Sequence, residues 1–444
     1  MIDTDALKTL CRTACEAAIA AGADFVDAGA SSGKSLSVEM ESGSIISADA
    51  KLGGSISVRA IYKGGTGWSS SDLMTVDAAA EAGANAARLA KLAEPDPDFI
   101  SLPQPSASYP QIDGLFDPAL AELDIKAVIG YALANIDGAR LVDPEAIVGG
   151  KFSACFGPSA LVNSLGVSLA TNSSYLGGYT MVVVKRGEDV GSFYDFDSAR
   201  MLSDFEPEGI GAKAAAQAIK FLGARKMETK RIPIILGPLA SGSVFESVVS
   251  CADAEGVQRG RSFMAGRLGE RIGSDILTIT DEPLIPRGLG SRSYDSEGFP
   301  CRPLTIVENG VLKSYIYGSY TAGKAKVANT GHGSRGGGAS SSNVIPRLGN
   351  MTSEEIIKST QEGLYINMGG ISPNGSTGDV SSSVDFGFKI ENGELAYPVA
   401  SSLVGGNFLD MLKKIDAISS DYREEPGAVM PTVRIQDVLV AGGR

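Results

Sequence analysis

SLSVEMESGSIISADAKLGGSISVRAIYKGGTGWSS, residues Ser35–Ser70, decides the fold class. It breaks into short β-like runs: SLSVEM, SGSIISADA, GSISVRAIY and TGWSS. Glycine pairs at Gly53-Gly54 and Gly64-Gly65 separate some of them, the pattern of an antiparallel meander. On its N-terminal side, Thr4–Ala21 carries Leu7, Leu10, Cys11, Ala14 and Ala18 at helical spacing, and Gly22 can end that helix. On its C-terminal side, Thr75–Ala93 is alanine-rich and helical. The spacing therefore predicts a helix–antiparallel sheet–helix domain over residues 1–94.

Six prolines between Ala93 and Pro118 mark an extended connector, because proline fixes φ and removes a backbone donor. A second domain is predicted over 119–224. It has a helix over Glu122–Ala139, β-runs at Ala146–Cys155, Ala160–Ala170, Leu176–Lys185 and Val190–Phe196, and a closing helix over Ile210–Leu222. The charged stretch GARKMETKR (Gly223–Arg231) is a boundary. Residues 230–444 form a β-rich C-terminal domain with hairpins at PLTIVENGVLKSYIY and FGFKIENGELAYPV. Their Asn309-Gly310 and Asn392-Gly393 pairs supply the two positive φ values of a type I′ turn. The fold class is α+β, and no fixed-period repeat is visible in the sequence.

Lys+Arg 39 against Asp+Glu 52 leaves a net charge of −13, which repels phosphate backbones and argues against nucleic acid as a ligand. No polybasic run suggests a membrane surface, and no apolar stretch of about 18 residues suggests a span. The five cysteines are scattered and odd in number, which fits a reducing cytoplasm better than a disulfide framework.

The 444 residues hold one histidine, His332, in the loop-like stretch NTGHGSRGGG. Zinc hydrolases usually need two or three imidazoles, and a serine or cysteine triad needs one beside its nucleophile. No catalytic residue and no metal site of the chain's own is therefore expected.

Other motifs have bland readings beside sharp ones. GSYTAGK (Gly318–Lys324) approaches the phosphate-cradling loop, but Ala325 stands where a magnesium-binding hydroxyl belongs. GHGSRG (Gly331–Gly336) matches a dinucleotide fingerprint by letter only, since no helix start follows. It reads either as a backbone-donor loop at a binding groove, with Gly331, His332 and Gly333 as candidates, or as an ordinary surface loop. Cys251 with His332 would make a dyad only if the fold joined them. Asp195 and Asp197 could bind a cation or simply face solvent, and Cys11 and Cys15, one helical turn apart, read as core.

Six C-terminal segments resemble the TldD/PmbA family of two-subunit cytoplasmic metallopeptidases. They are GVQRGRSFMAGRLGERI (Gly256–Ile272), Ser296–Lys324, TGHGSR (Thr330–Arg335), MTSEEIIKSTQEGLYI (Met351–Ile366), Gly378–Val399 and GNFLDMLKKIDAI (Gly406–Ile418). NSLG at Asn163–Gly166 extends a weaker match toward the N-terminus. The resemblance implies two branches, one carrying HExxxH on a helix plus a later cysteine as zinc ligands, the other, PmbA- or TldE-like, without them. Here the HExxxH slot falls on FESVVS, so Phe245 and Ser250 replace the histidines and only Glu246 matches. DYREEPGAVMPTVRI (Asp421–Ile435) lacks the ligand cysteine. Without a metal-bound water Glu246 has nothing to deprotonate, and it reads as a solvated or capping residue or as part of a peptide groove.

The resemblance thus implies a metal-free subunit that pairs with a zinc-bearing TldD-like paralogue, the zinc residing in that partner, and helps enclose an extended peptide. The alternatives are a peptide- or nucleotide-binding homodimer without catalysis, and an independent Cys or Ser hydrolase.

Overall fold

The structure, a computed structural model, describes residues 2–442. The first unit runs α1 (Thr4–Ala20), β1 (Phe25–Glu41), β2 (Ser44–Tyr62), β3 (Gly65–Ser71) and α2 (Val76–Leu92). Asp3 and Thr75 cap the two helices through their side-chain oxygens, satisfying first-turn amides. The second unit repeats this order with α3 (Ile125–Val142), β4 (Ile147–Asn163), β5 (Ser168–Arg186), β6 (Asp189–Ala199) and α4 (Ile210–Lys220).

β1 pairs with β4, so both units share one antiparallel sheet of order β3-β2-β1-β4-β5-β6. The helices bury one face of it in two apolar clusters, one under α1 and α2, the other under α3 and α4. Glycines set the close approaches, and they do so at matching places. A Cβ on Gly83 of α2 would collide with the backbone of Ala14 on α1. One on Gly211 of α4 would collide with Asn135 on α3. Gly67 lies against α2 and Gly191 against α4 in the same way. An architectural duplication thus exists where the sequence shows no period.

The strands are longer and fewer than the runs suggested. SGSIISADA and GSISVRAIY are one strand, β2, and Gly53-Gly54 lies inside it, opposite Gly33 and Ser32. The chain reverses instead at Ser42-Gly43 (φ 50° and 72°) and Lys63-Gly64 (φ 51° and 82°). Both are two-residue turns whose left-handed pair suits the twist of the flanking strands. In the second unit, Ala146–Cys155 and the start of Ala160–Ala170 likewise fuse into β4. Pro158 is tolerated there because the β1–β4 ladder lapses between Ser31↔Ser159 and Lys34↔Phe156. The reversal comes at Ser164–Gly166, within NSLG.

The third portion contains β7 (Lys230–Leu236), α5 (Pro238–Cys251), α6 (Ala254–Gln258), β8 (Ile279–Asp281), β9 (Leu304–Glu308), β10 (Val311–Leu312), α7 (Ser319–Ala325) and β11 (Val344–Pro346). It continues with α8 (Ser353–Lys358), β12 (Glu362–Met368), β13 (Asp379–Val384), β14 (Phe386–Glu391), β15 (Glu394–Val399), β16 (Ser402–Asn407), α9 (Phe408–Lys413), β17 (Ile415–Glu425) and β18 (Ala428–Ala441). The large sheet has the order β13-β16-β18-β7-β12-β14-β15, with β17 added beside β18; a small sheet runs β10-β9-β8-β11. Asn309-Gly310 (φ 49° and 79°) and Asn392-Gly393 (φ 52° and 79°) form the predicted hairpin turns. The strand after the first is only two residues long. Tyr315 turns inward, its hydroxyl donating to the Met264 carbonyl at 2.7 Å, so KSYIY leaves the sheet.

The third portion docks on both units. Phe386 and Phe388 pack on Phe221 of the second unit. Arg423 of β17 pairs with Asp195 of β6 at 2.7 Å and donates to the Phe196 carbonyl at 2.6 Å. The first unit is held through the glycine loop that contains His332.

Candidate functional site

On the face of the shared sheet away from the helices, β1, β2 and β3 place Asp27, Arg59 and Trp68 side by side, because Asp27 pairs with Arg59 and Arg59 with Trp68 across the strands. Asp27 is 1% exposed. Burying it requires charge partners, and two guanidinium groups supply them. Arg59 donates to Asp27 Oδ2 through Nε at 2.8 Å and Nη2 at 2.5 Å, and Arg335 donates to Oδ1 at 2.5 Å. Arg335 comes from the loop TGHGSR. It also donates to the Ser57 carbonyl and lies across Gly29, where a Cβ would stand 2.6 Å from its guanidinium.

Glu297 closes the network from the other side, accepting from Arg59 Nη2 at 3.3 Å and from the Ser319 amide at 2.8 Å. Burial pulls the Arg59 guanidinium down, but Asp27 and Glu297 together hold it above its ordinary value. Asp295 lies beside Glu297 and is 1% exposed. It accepts the amides of Glu297 (3.0 Å), Phe299 (2.9 Å) and Gly333 (2.8 Å). Burial and the neighbouring Glu297 charge push its carboxyl up to about 7, against those three hydrogen bonds.

A cleft of about 280 Å³ opens above this network. Arg59 and Trp68 form one wall, the exposed turn Gly336–Gly338 the other, and the Glu255–Arg259 ion pair (2.6 Å) one end. The Trp68 indole is 39% exposed and is held by Arg335 and Arg59, whose guanidinium carbons lie 5.3 and 5.9 Å from its ring.

The four groove candidates fall into two places. Gly331, His332 and Gly333 lie buried beneath the cleft, and it is Ser334–Gly338 that reaches it. Gly331 needs its left-handed φ of 81°, and a Cβ on Gly333 would strike the Glu297 carboxylate. His332 is 1% exposed, with Nδ1 2.9 Å from Thr330 Oγ1 and Nε2 3.0 Å from Asp281 Oδ2. Asp281 in turn accepts both the amide and the hydroxyl of Ser342. Glu246 stands one step further along, on the exposed side of α5, accepting from Ser341 Oγ at 3.3 Å. Local burial of its carboxyl pushes its pKa up, the Ser341 hydrogen bond opposes this, and the Asp281 charge adds to it.

Both ring nitrogens of His332 are engaged, so it offers Cys251 nothing, and burial holds the Cys251 thiol up at about 11, protonated at neutral pH. Lys324 of GSYTAGK pairs with Asp98 at 2.5 Å, and the seven-residue α7 is capped by its own Thr321, so no phosphate cradle forms. Asp195 is neutralised by Arg423, and Asp197 receives the Glu206 amide. Cys11 and Cys15 point into the core toward the Ala160 and Val162 carbonyls. A zinc ion does not fit the α5 slot either. Phe245 is 2% exposed within the C-terminal core, and neither its ring nor the Ser250 hydroxyl is a zinc donor of consequence.

The central residues Asp27, Arg59, Trp68 and Asp295 were not singled out by sequence reading. Glu297 and Arg335 lie inside two of the segments quoted above, and that was the available signal. Arg59 alternates with Val58 and Ala60 as a solvent-facing residue would, and its partner Glu297 is 238 residues away.

Profiles described as PmbA/TldA metallopeptidase domain 1, central domain and C-terminal domain match residues 26–90, 118–222 and 229–442. The chain is similar to the metalloprotease PmbA of Escherichia coli O157:H7, 26% identical over 415 residues, covering 92% of this chain and 90% of that one. A PmbA homologue from Buchnera aphidicola is 31% identical over 287 residues, 63% of this chain and 62% of its own. Among solved structures, TldE from Thermococcus kodakarensis superposes with a TM-score of 0.87 at 25% identity, covering 98% of this chain and 100% of that one.

Proposed function

The chain belongs to the PmbA/TldD metallopeptidase family, and on that premise we propose that it is the metal-free subunit of a two-component, cytoplasmic peptidase. In this reading a zinc-bearing paralogue supplies the hydrolytic centre, and this chain helps hold an extended or unfolded peptide against it. The observation that carries the proposal is the α5 slot. Where zinc-bearing members place two histidines, this chain has a core phenylalanine and a serine, while its solitary histidine is engaged by Thr330 and Asp281.

Glu246 keeps its place on the helix without a metal water to act on, so its role here is to anchor Ser341 next to the Asp281–His332 pair. The zinc chemistry would be the partner's. This chain's own contribution is the cleft, where a rigid indole faces a turn of bare glycine backbone. Such walls suit recognition of main chain over side chain. Nucleic acid is no part of the proposal, given the net charge of −13.

Co-expression with a TldD-like paralogue tests this. Stable co-purification, with peptide cleavage that needs both chains, is the expected result. Full activity of the paralogue alone, unchanged by this chain, would remove the proposal.

A further inference from the structure

We propose that Asp295 and Glu297 form a proton switch under the cleft. With a proton on Asp295, the Glu297 carboxylate stays on the Ser319 amide; when that proton leaves, Glu297 is driven off the amide toward the cleft. No paralogue or peptide is needed for this, so it stands or fails apart from the function proposed above.

The charges buried between the first unit and the third portion do not balance. Three carboxylates, Asp27, Asp295 and Glu297, meet two guanidinium groups, Arg59 and Arg335. Asp27 takes both guanidiniums, and Glu297 takes only Arg59, at 3.3 Å. Asp295 has no ion pair among the described residues; its partners are the amides of Glu297, Phe299 and Gly333. Ionising all three carboxylates leaves one buried negative charge without a counter-charge, and burial penalises that heavily. One proton removes the excess. Burial, then the Glu297 charge, hold the Asp295 carboxyl up at about 7, so this proton leaves near neutrality.

Gly333 brings the two carboxylates together. A Cβ there would collide with Glu297 Oε2 and stand 3.0 Å from Asp295 Oδ2, so both oxygens crowd one carbon position. The same Oε2 accepts the Ser319 amide, and the same Oδ2 accepts the Gly333 amide. Like charges so placed repel, and one must give way. Asp295 is the better held, because its ionised form accepts three amides more strongly than its neutral form does. Glu297 has one long ion pair and one amide, and it lines the cleft, where there is room. Its departure frees the Ser319 amide in the first turn of α7, which no helical carbonyl satisfies. It also shifts Arg59, whose guanidinium carbon lies 5.9 Å from the Trp68 ring.

Other charged and titratable groups surround the pair. The first unit contributes Asp27 and Arg59, the glycine loop His332 and Arg335, and α6 places Glu255 at the end of the cleft. In the turn that holds Asp295, burial keeps the Tyr294 hydroxyl and the Cys301 thiol up at about 12, with Arg292 against Cys301. Histidine is the one residue type among these that ordinarily titrates near neutrality. The test must therefore separate Asp295 from His332.

Trp68 is the only tryptophan in the chain, so its emission is read from one place. Trp68 emission and the protection of the Ser319 amide against hydrogen exchange are followed from about pH 5 to about pH 9, across the expected midpoint of about 7. The wild type should lose Ser319 protection and shift its emission together in one step. Asp295→Asn, which holds no titrating proton, should show neither change. That variant turns an amide donor toward the Gly333 amide and could fold poorly, so a second measurement uses the wild type alone. Its infrared spectrum should contain a protonated-carboxyl band that moves on isotopic labelling of aspartate and vanishes across the same step. Absence of the step, absence of that labelled band, or the same step in folded Asp295→Asn overturns the proposal.

Discussion

The two N-terminal units are built alike and loaded oppositely. Each is helix, three long antiparallel strands, helix, and each uses a glycine to bring its helices together, Gly83 in the first and Gly211 in the second. On the helix-free face, the first unit carries the charged row Asp27, Arg59 and the indole of Trp68, sealed by Arg335 and Glu297 from the third portion. The same face of the second unit carries Tyr175, Tyr179, Met181 and Tyr194, all at least 36% exposed. Their edge strands differ in their neighbours, since the Phe196 carbonyl of β6 takes the Arg423 guanidinium and Thr66 and Trp68 of β3 line the cleft. One scaffold thus serves as an anchored, polar cleft wall in the first copy and as a docked support in the second. What distinguishes them is which face meets the C-terminal loops, not the fold itself.

The largest expected effect breaks the charged row. Asp27→Ala leaves Arg59 and Arg335 buried without their shared carboxylate and should cost about 3–5 kcal/mol, measured by denaturant unfolding. A loss below about 1 kcal/mol would mean the row is solvated and the two faces are less different than they look.

Next comes the duplication itself. Gly83→Ala and Gly211→Ala each force a methyl into a neighbouring helix backbone, and each should cost about 1–3 kcal/mol in thermal melts. If one unit tolerates the change and the other does not, the packing equivalence fails.

A third effect is pH dependence under the cleft. Burial raises the Asp295 carboxyl from its unfolded value of 3.8 to about 7. A group with a raised folded pKa stabilises below its unfolded pKa, and that contribution is lost as pH rises through the folded value. Stability should therefore fall between about pH 4 and pH 7 through this residue, and Asp295→Asn should flatten that part of the pH profile. An identical profile in the variant would count against a protonated Asp295.

The smallest effects belong to the open face of the second unit. Tyr179→Ser should change stability by no more than about 0.5 kcal/mol. Cys155, the exposed thiol, should take up an alkylating reagent first, with Cys11, Cys15 and Cys301 protected in the core. Mass spectrometry of the partly labelled protein checks this, and early labelling of Cys11 or Cys15 would contradict the packing of α1.

Local chemistry was legible in the sequence and long-range pairing was not. Asn309-Gly310 and Asn392-Gly393 specify their turns by themselves, and the four helices of the N-terminal units follow from their apolar and alanine-rich spacing. Gly53-Gly54 misled because glycine marks a turn in one context and a close strand approach in another, and only the partner strand tells them apart. The duplication was hidden because what the copies share is a few glycines and a strand order. The cleft was hidden for the same reason, since Asp27 and Arg335 are 308 positions apart.

In the function proposed above, this chain hydrolyses nothing by itself and lends a cleft to a metal-bearing partner. Peptide cleavage by the purified chain, assayed alone and after mixing with a TldD-like paralogue, with bound zinc quantified on each, tests it most directly. The account predicts no turnover alone and chelator-sensitive turnover in the mixture, with the zinc on the paralogue. Stoichiometric zinc on this chain, with chelator-sensitive cleavage in the absence of any partner, would contradict it.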